Sequence, residues 1–152
     1  MSDTHTHAFR RALIALNGGP SDARIVRLVA ELARLTKGEL IAVHVVEIDW
    51  TLPLDADIAG RSEQVQHVLD SAEAIAEEHK MALEPVLLQA RDVGAAIVDE
   101  ATERGADLLV VGLPYRKRFG GEFDIGRTVP YILQNAPCAV WVVREPMSEE
   151  AS

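Results

Sequence analysis

Five short apolar runs punctuate this chain, separated by longer stretches in which apolar positions recur every three or four residues. The runs cover Ala12 to Leu16, Leu40 to Val46, Leu83 to Leu88, Leu108 to Val111 and Ala139 to Val143. Rich in Val, Ile and Leu, they predict β-strands. The stretches between predict helices. The first of these puts Ile25, Leu28, Val29 and Leu32 on one face, with Ser21 as its cap, Lys37 in its last turn and Gly38 as its stop. The second carries a stripe of Val65, Val68, Leu69, Ala72, Ile75 and Ala76. The third runs from about Val93 to Arg104 and stops at Gly105, and the fourth is expected to bury Val129, Ile132, Leu133 and Ala136.

A helix between each pair of successive strands requires parallel pairing through right-handed crossovers, and near-continuous apolar strands suit a sheet covered on both faces. The fold class is therefore α/β: one doubly wound, five-stranded parallel sheet with helices on both faces. Pro85 sits inside the third run, where it would break a ladder bond in any central strand, so that strand belongs at an edge. The order 3-2-1-4-5 satisfies this. In that order the winding reverses between strands 1 and 4, and such sheets bind ligands at the carboxyl ends beside the reversal. Two Gly-rich turns emerge there, Asn17-Gly18-Gly19 and the loop that begins at Gly112.

The second turn reads as an anion cradle. Pro130 is tolerated only in the first turn of a helix, so Gly126, Arg127 and Thr128 mark a helix N-terminus, whose free N–H groups and partial positive charge suit phosphate. Arg127 at that end requires an offsetting anion, either a ligand or a neighbouring carboxylate such as Asp124 or Glu122. The Arg116-Lys117-Arg118 run reads on its own as a solvated charge run. Tyr115 and Phe119 either stack on a base or cover the loop's own backbone. Across the cleft, Leu16, Asn17 and Val45 end strands 1 and 2, and an Asn side chain offers both a donor and an acceptor. His44 reads as a hydrogen-bonded core histidine.

With 152 residues, 48% of them hydrophobic, the chain is one domain in size. We place that domain at residues 10–145, between a flexible polar tail at 1–9, which holds His5 and His7, and an acidic tail at 146–152. A net charge of −9 argues against nucleic acid as a partner. No run approaches the ~20 apolar residues of a membrane span, so no direct membrane insertion is expected. The single Cys138 reads as a buried, inert thiol in a reducing compartment, which makes the cytoplasm the expected location. The long segment from Glu47 to Gly60 predicts a lid, whose Asp49, Asp55 and Asp57 would share a divalent cation such as Mg if a polyphosphate binds. Neither a G-x-x-x-x-G-K-[ST] loop nor a G-x-G-x-x-G fingerprint is present, Gln89 stands where a receiver domain needs Asp, and no catalytic triad is recognisable. A binding protein, not an enzyme, is expected. The fifth strand carries no Lys or Pro to block its edge, so an antiparallel homodimer through Ala139 to Val143 is expected.

Several of these residues together resemble the universal stress protein family. They are Ala12 to Leu16 with its Gly turn, Val43-His44-Val45, Gly112 after Leu108 to Val111, Gly126 before a helix, and the ending Asn135 to Val143. The resemblance spans about Arg11 to Arg144 and implies an adenine nucleotide, ATP or AMP, at Leu16, Asn17, Gly18, Val45, Val111, Gly112, Tyr115, Gly126, Arg127, Thr128 and Val129. Four positions depart from the ATP-binding pattern. Tyr115 replaces its second Gly, Gly126 comes one residue late, Arg127 replaces a small hydroxyl residue, and Asn17 replaces an Asp. The altered loop also resembles a subset found alone or fused behind amino-acid permeases, which implies a transporter as partner. Two readings stay open: an adenine-nucleotide sensor, and a nucleotide-free module whose loop contacts a partner.

Overall fold

The structure is a computed structural model that describes residues 9–53, 62–117, 121 and 123–147. Five strands, β1 (Arg11–Leu16), β2 (Glu39–Glu47), β3 (Leu83–Ala90), β4 (Leu108–Leu113) and β5 (Ala139–Arg144), alternate with α1 (Ser21–Thr36), α2 (Ser62–Glu78), α3 (Val93–Arg104) and α4 (Thr128–Asn135). All neighbouring strands pair in parallel, in the order β3-β2-β1-β4-β5. Pro85 lies in the edge strand β3, as its missing N–H requires.

Strand alternation divides the core into two layers. Ala12, Ile14 and Leu16 of β1 point to one face with Ala42 and Val110, under Ile25, Val26 and Val29 of α1 and Leu69 and Ile75 of α2. Leu13 and Ala15 point to the other with Val43, Val45 and Val111, under Ile97 and Val98 of α3 and Val129 and Ile132 of α4. The central strand is thus covered on both sides, which is why it reads as an unbroken apolar run.

Four strands, β2 to β5, extend further at their carboxyl ends than expected, because each keeps a parallel partner there: Glu47 opposes Ala90, and Leu113 opposes Arg144. Gly112 consequently lies inside β4 and does not open the loop. Its role is space: a Cβ there would meet Ile25 Cδ1 at 2.9 Å. Other departures are local. Pro20, not Ser21, occupies the N-cap of α1. The left-handed turn after α1 is taken by Lys37, at φ 59°, and Gly38 serves for room beside Phe9, whose ring carbon would lie 2.7 Å from an added Cβ. Phe9 itself, expected in the tail, is buried and meets Trp141 edge-on at 6.3 Å. Leu133, expected in the core, is 55% exposed, since α4 turns only Val129 and Ile132 fully inward. Cys138 is half-buried, and burial pushes its thiol pKa up, which keeps it protonated. His5, His7, Asp55, Asp57, Gly60 and residues 148–152 lie outside the described residues. Among those described, no helix is long and apolar enough to cross a membrane.

The Gly112–Ile25 contact yields a direct test. Gly112→Ala should destabilise the fold by ~1–3 kcal/mol through overpacking. Ile25→Val, which shortens the opposing side chain, should recover part of that loss in the double variant. Denaturant unfolding of both singles and the double checks this, and strictly additive losses would contradict the contact.

Candidate functional site

The site is built from two loops that leave the sheet side by side. After Leu16 the chain bends sharply, held by the Asp22 carboxylate, which accepts hydrogen bonds from the backbone N–H of Asn17 (3.1 Å) and Gly18 (2.8 Å). Gly18 takes φ 81°, a conformation that favours glycine. Asn17 Oδ1 accepts from Gly19 N–H at 2.7 Å, so its amide NH2 is the group left uncommitted. Burial pushes the Asp22 pKa up, against the two backbone bonds and the nearby His44, which lower it. His44 Nδ1 donates to the Leu16 carbonyl at 3.1 Å, which fixes the orientation of the ring. The hydrogen-bonded histidine expected from sequence is therefore present, and it also faces a cavity.

On the other side, β4 runs straight through Gly112, and the chain then turns outward at Tyr115. This ring stacks on Phe123 at 5.3 Å, with the Arg144 guanidinium 5.0 Å from its centre. Its backbone N–H donates to Glu145 Oε1 at 3.0 Å, while Glu145 Oε2 accepts from the Ser21 hydroxyl at 2.5 Å. Those bonds hold the Glu145 carboxyl below its usual pKa. The loop returns through an antiparallel bridge between Lys117 and Phe123 and a bond from Asp124 N–H to the Arg116 carbonyl. Gly126 then turns at φ 72°, and α4 begins with Arg127 at its N-cap and no side chain capping it. Thr128 and Val129 of the first turn line the cavity, so the N-terminus of α4 borders it. Arg127 is exposed and forms no salt bridge among the described residues.

Between the loops lies a cavity of about 310 Å³ at the carboxyl ends of β1, β2 and β4. That is within the range of small-molecule sites, ~300–1,000 Å³. It is lined by nine expected residues, Leu16, Asn17, Val45, Val111, Gly112, Gly126, Arg127, Thr128 and Val129. Two others fall elsewhere. Tyr115 is withdrawn into its stack with Phe123, and Gly18 faces a separate hollow of about 710 Å³ toward α2. Among the described residues that larger hollow is lined by Glu47 and Glu63 and by no Lys or Arg. Arg118, Phe119, Gly120 and Glu122 lie outside the described residues.

Sequence reasoning missed Ala15, Glu47, Val93, Ile97 and Ile125, which line the cavity, while Arg116, read as solvated, is exposed and lines it as well. Ala15 and Glu47 were detectable by strand alternation, since they share the faces of Leu13 and Val45. Val93 and Ile97, four apart, sit on one stripe of α3. Of the three aspartates expected to share a cation, Asp55 and Asp57 lie outside the described residues, and Asp49 Oδ1 accepts both the N–H and the hydroxyl of Thr51 at 2.9 Å. No metal-ligand cluster occurs among the described residues.

A doubly wound parallel sheet with a crevice and a helix N-terminus at its switch point defines an α/β domain of the open-sheet class. The universal stress protein family model matches residues 8–144, and the chain belongs to that family. It is 29% identical over 145 residues to the sensor protein KdpD of Mycobacterium tuberculosis, a match covering 95% of this chain and 16% of that protein. The universal stress protein of Archaeoglobus fulgidus superposes with a TM-score of 0.73 at 20% identity, over 88% of this chain and 98% of that one. Its complex with dAMP gives 0.68 at 21%, over 88% and 97%. A family protein from Arabidopsis thaliana with AMP bound gives 0.64 at 14%, over 92% and 94%. These structural likenesses show the shared fold.

Asp22 should organise one wall of the cavity. Asp22→Ala leaves two backbone N–H groups without acceptors, and a loss of ~1–3 kcal/mol in stability is expected. The pH dependence has a definite sign. Because the folded pKa is raised, protonated Asp22 adds stability below its unfolded value of about 3.9, and that increment disappears as pH rises through the folded value. Asp22→Asn should flatten this part of the stability profile, measured by urea unfolding across pH 3–6. An unchanged profile would contradict the assignment.

Proposed function

We propose that this chain is a non-catalytic receptor for an adenine nucleotide, and that AMP is the form its cavity fits best. The observation that carries this reading is the 310 Å³ cavity at the point where the sheet reverses, lined by apolar side chains, by Arg116 and Arg127 with the start of α4, and by Glu47. Val45, Val93, Ile97 and Val111 offer apolar walls to a base, with the Asn17 amide at the rim as a donor. The start of α4 lines the same cavity with Arg116 and Arg127, groups that suit one phosphate. Family members solved with AMP and dAMP support the same ligand class. ATP, with or without Mg, would have to extend past Arg127. A regulatory role, in which a partner such as a membrane transporter reads the occupied state, is supported by the likeness to a sensor protein.

Calorimetric titration with AMP and with ATP plus or minus magnesium tests this reading. Wild type should bind AMP, and Arg127→Ala should weaken binding about tenfold to a hundredfold, the worth of a charge-assisted hydrogen bond of ~1.5–3 kcal/mol. Equal affinities would reject the phosphate role of Arg127. No heat with any nucleotide would favour the nucleotide-free interaction module.

We also assign the exposed edge of β5 to a homodimer contact, because Val142 is 37% exposed on a strand with one unpaired side. Sedimentation should give a dimer at micromolar concentration, dissociated by Val142→Lys. A monomeric wild type would remove this contact.

A further inference from the structure

Beside the candidate site lies a second hollow of about 570 Å³, which shares Glu47, Val93, Arg127 and Thr128 with it and adds Trp50, Arg91, Asp92 and Tyr131. Its most unusual member is Trp50, 79% exposed at the end of β2. An exposed tryptophan that is also fixed in place is the informative case. The Arg91 guanidinium lies 4.8 Å from the centre of the Trp50 ring. That guanidinium also donates to the carbonyls of Asp49 (2.8 Å) and Leu52 (2.9 Å), so it holds the whole turn that carries the ring. Ile48 anchors the start of the turn, buried, with its N–H donating to the Ala90 carbonyl at 2.8 Å. Tyr131 is likewise held, because Gly94 leaves it the room to close against α3: a Cβ there would meet the Tyr131 ring at 3.1 Å.

The charges of this hollow decide what it takes. Arg91 and Arg127 are matched by Glu47 and Asp92, and the Asp92 carboxylate is engaged in capping α3 through Ala95 N–H at 3.1 Å. Two cations against two anions make a poor extension for a polyphosphate, whereas two held aromatic rings make a good platform for a planar group. Arg127 and the N-terminus of α4 lie where the two hollows meet, which is the place for the phosphates that would join two ring systems.

We propose that the second hollow is a subsite for the second nucleoside of a dinucleotide, whose first nucleoside occupies the cavity already described and whose phosphates cross at Arg127. The inference rests on the adenine-nucleotide reading of that first cavity and extends it. Trp50 acts as the stacking surface, positioned by Arg91.

Titrations of wild type with AMP and with diadenosine diphosphate, read by calorimetry and by tryptophan emission, test it. Wild type should bind diadenosine diphosphate about tenfold to a hundredfold more tightly than AMP, the worth of one stacked base, with a change in emission that AMP does not produce. Trp50→Ala should abolish that margin without altering AMP affinity, and Trp50→Phe should keep most of it. The exposure of Trp50 makes loss of folding in these variants unexpected. If AMP binds and diadenosine diphosphate binds no more tightly, or if Trp50→Ala keeps the margin, the subsite is overturned while the first cavity stands. If neither ligand binds, the first reading fails and takes the second with it.

Discussion

Every feature of this molecule follows from the burial of β1 on both faces, between β2 and β4, in a sheet whose crossovers must be right-handed. Starting from β1 the chain moves one way across the sheet to β2 and β3, which places α1 and α2 on one face. It then returns past β1 to β4 and β5 in the opposite direction, and the same handedness forces α3 and α4 onto the other face. Where the direction changes, no helix crosses over the carboxyl ends of β1 and β4. The crevice between these two strands is therefore a consequence of chirality, and its position does not depend on any single side chain.

What the side chains determine is the character of the crevice. On the β1 side, Asp22 and the Asn17 amide oxygen consume the backbone N–H groups of the turn, so that wall offers a ligand the Asn17 NH2 and apolar surface. On the β4 side the turn's polar groups are treated differently. Glu145 fastens Tyr115 and Ser21 to each other at the foot of the loop, which draws the aromatic ring away from the cavity. The N-terminus of α4 keeps its donors uncapped. One wall is thus satisfied internally and the other is left with free donors and two arginines. An elongated ligand with an apolar end and an anionic end matches that asymmetry.

The layout was legible in the sequence to an unusual degree, because two residues carry strong constraints. Pro85 can sit only at an edge, which fixed the strand order, and Pro130 can sit only near a helix start, which located the N-terminus of α4. Nine of the eleven expected site residues meet at the cavity for this reason. The misreadings share a cause, which is that contacts distant in sequence decide local roles. Gly112 looks like a turn glycine until Ile25 of α1 is seen to occupy its side-chain space. Gly38 looks like a helix-stop glycine until Phe9 is seen to claim its side-chain space, while Lys37 takes the left-handed position. Tyr115 looks available for a base until Phe123 and Arg144 enclose it. Leu133 and Trp50, apolar residues that a periodicity argument places inside or ignores, stand exposed.

The central claim is that an adenine nucleotide lies across the β1/β4 switch point with its phosphate on α4. Amide chemical shifts recorded while AMP is added report this position directly. The account predicts that the largest changes fall on Gly126, Arg127, Thr128 and Val129 at one end and on Asn17 and Val45 at the other. Changes confined to the α2 hollow around Glu63 to Val68, or none at saturating AMP, would contradict it.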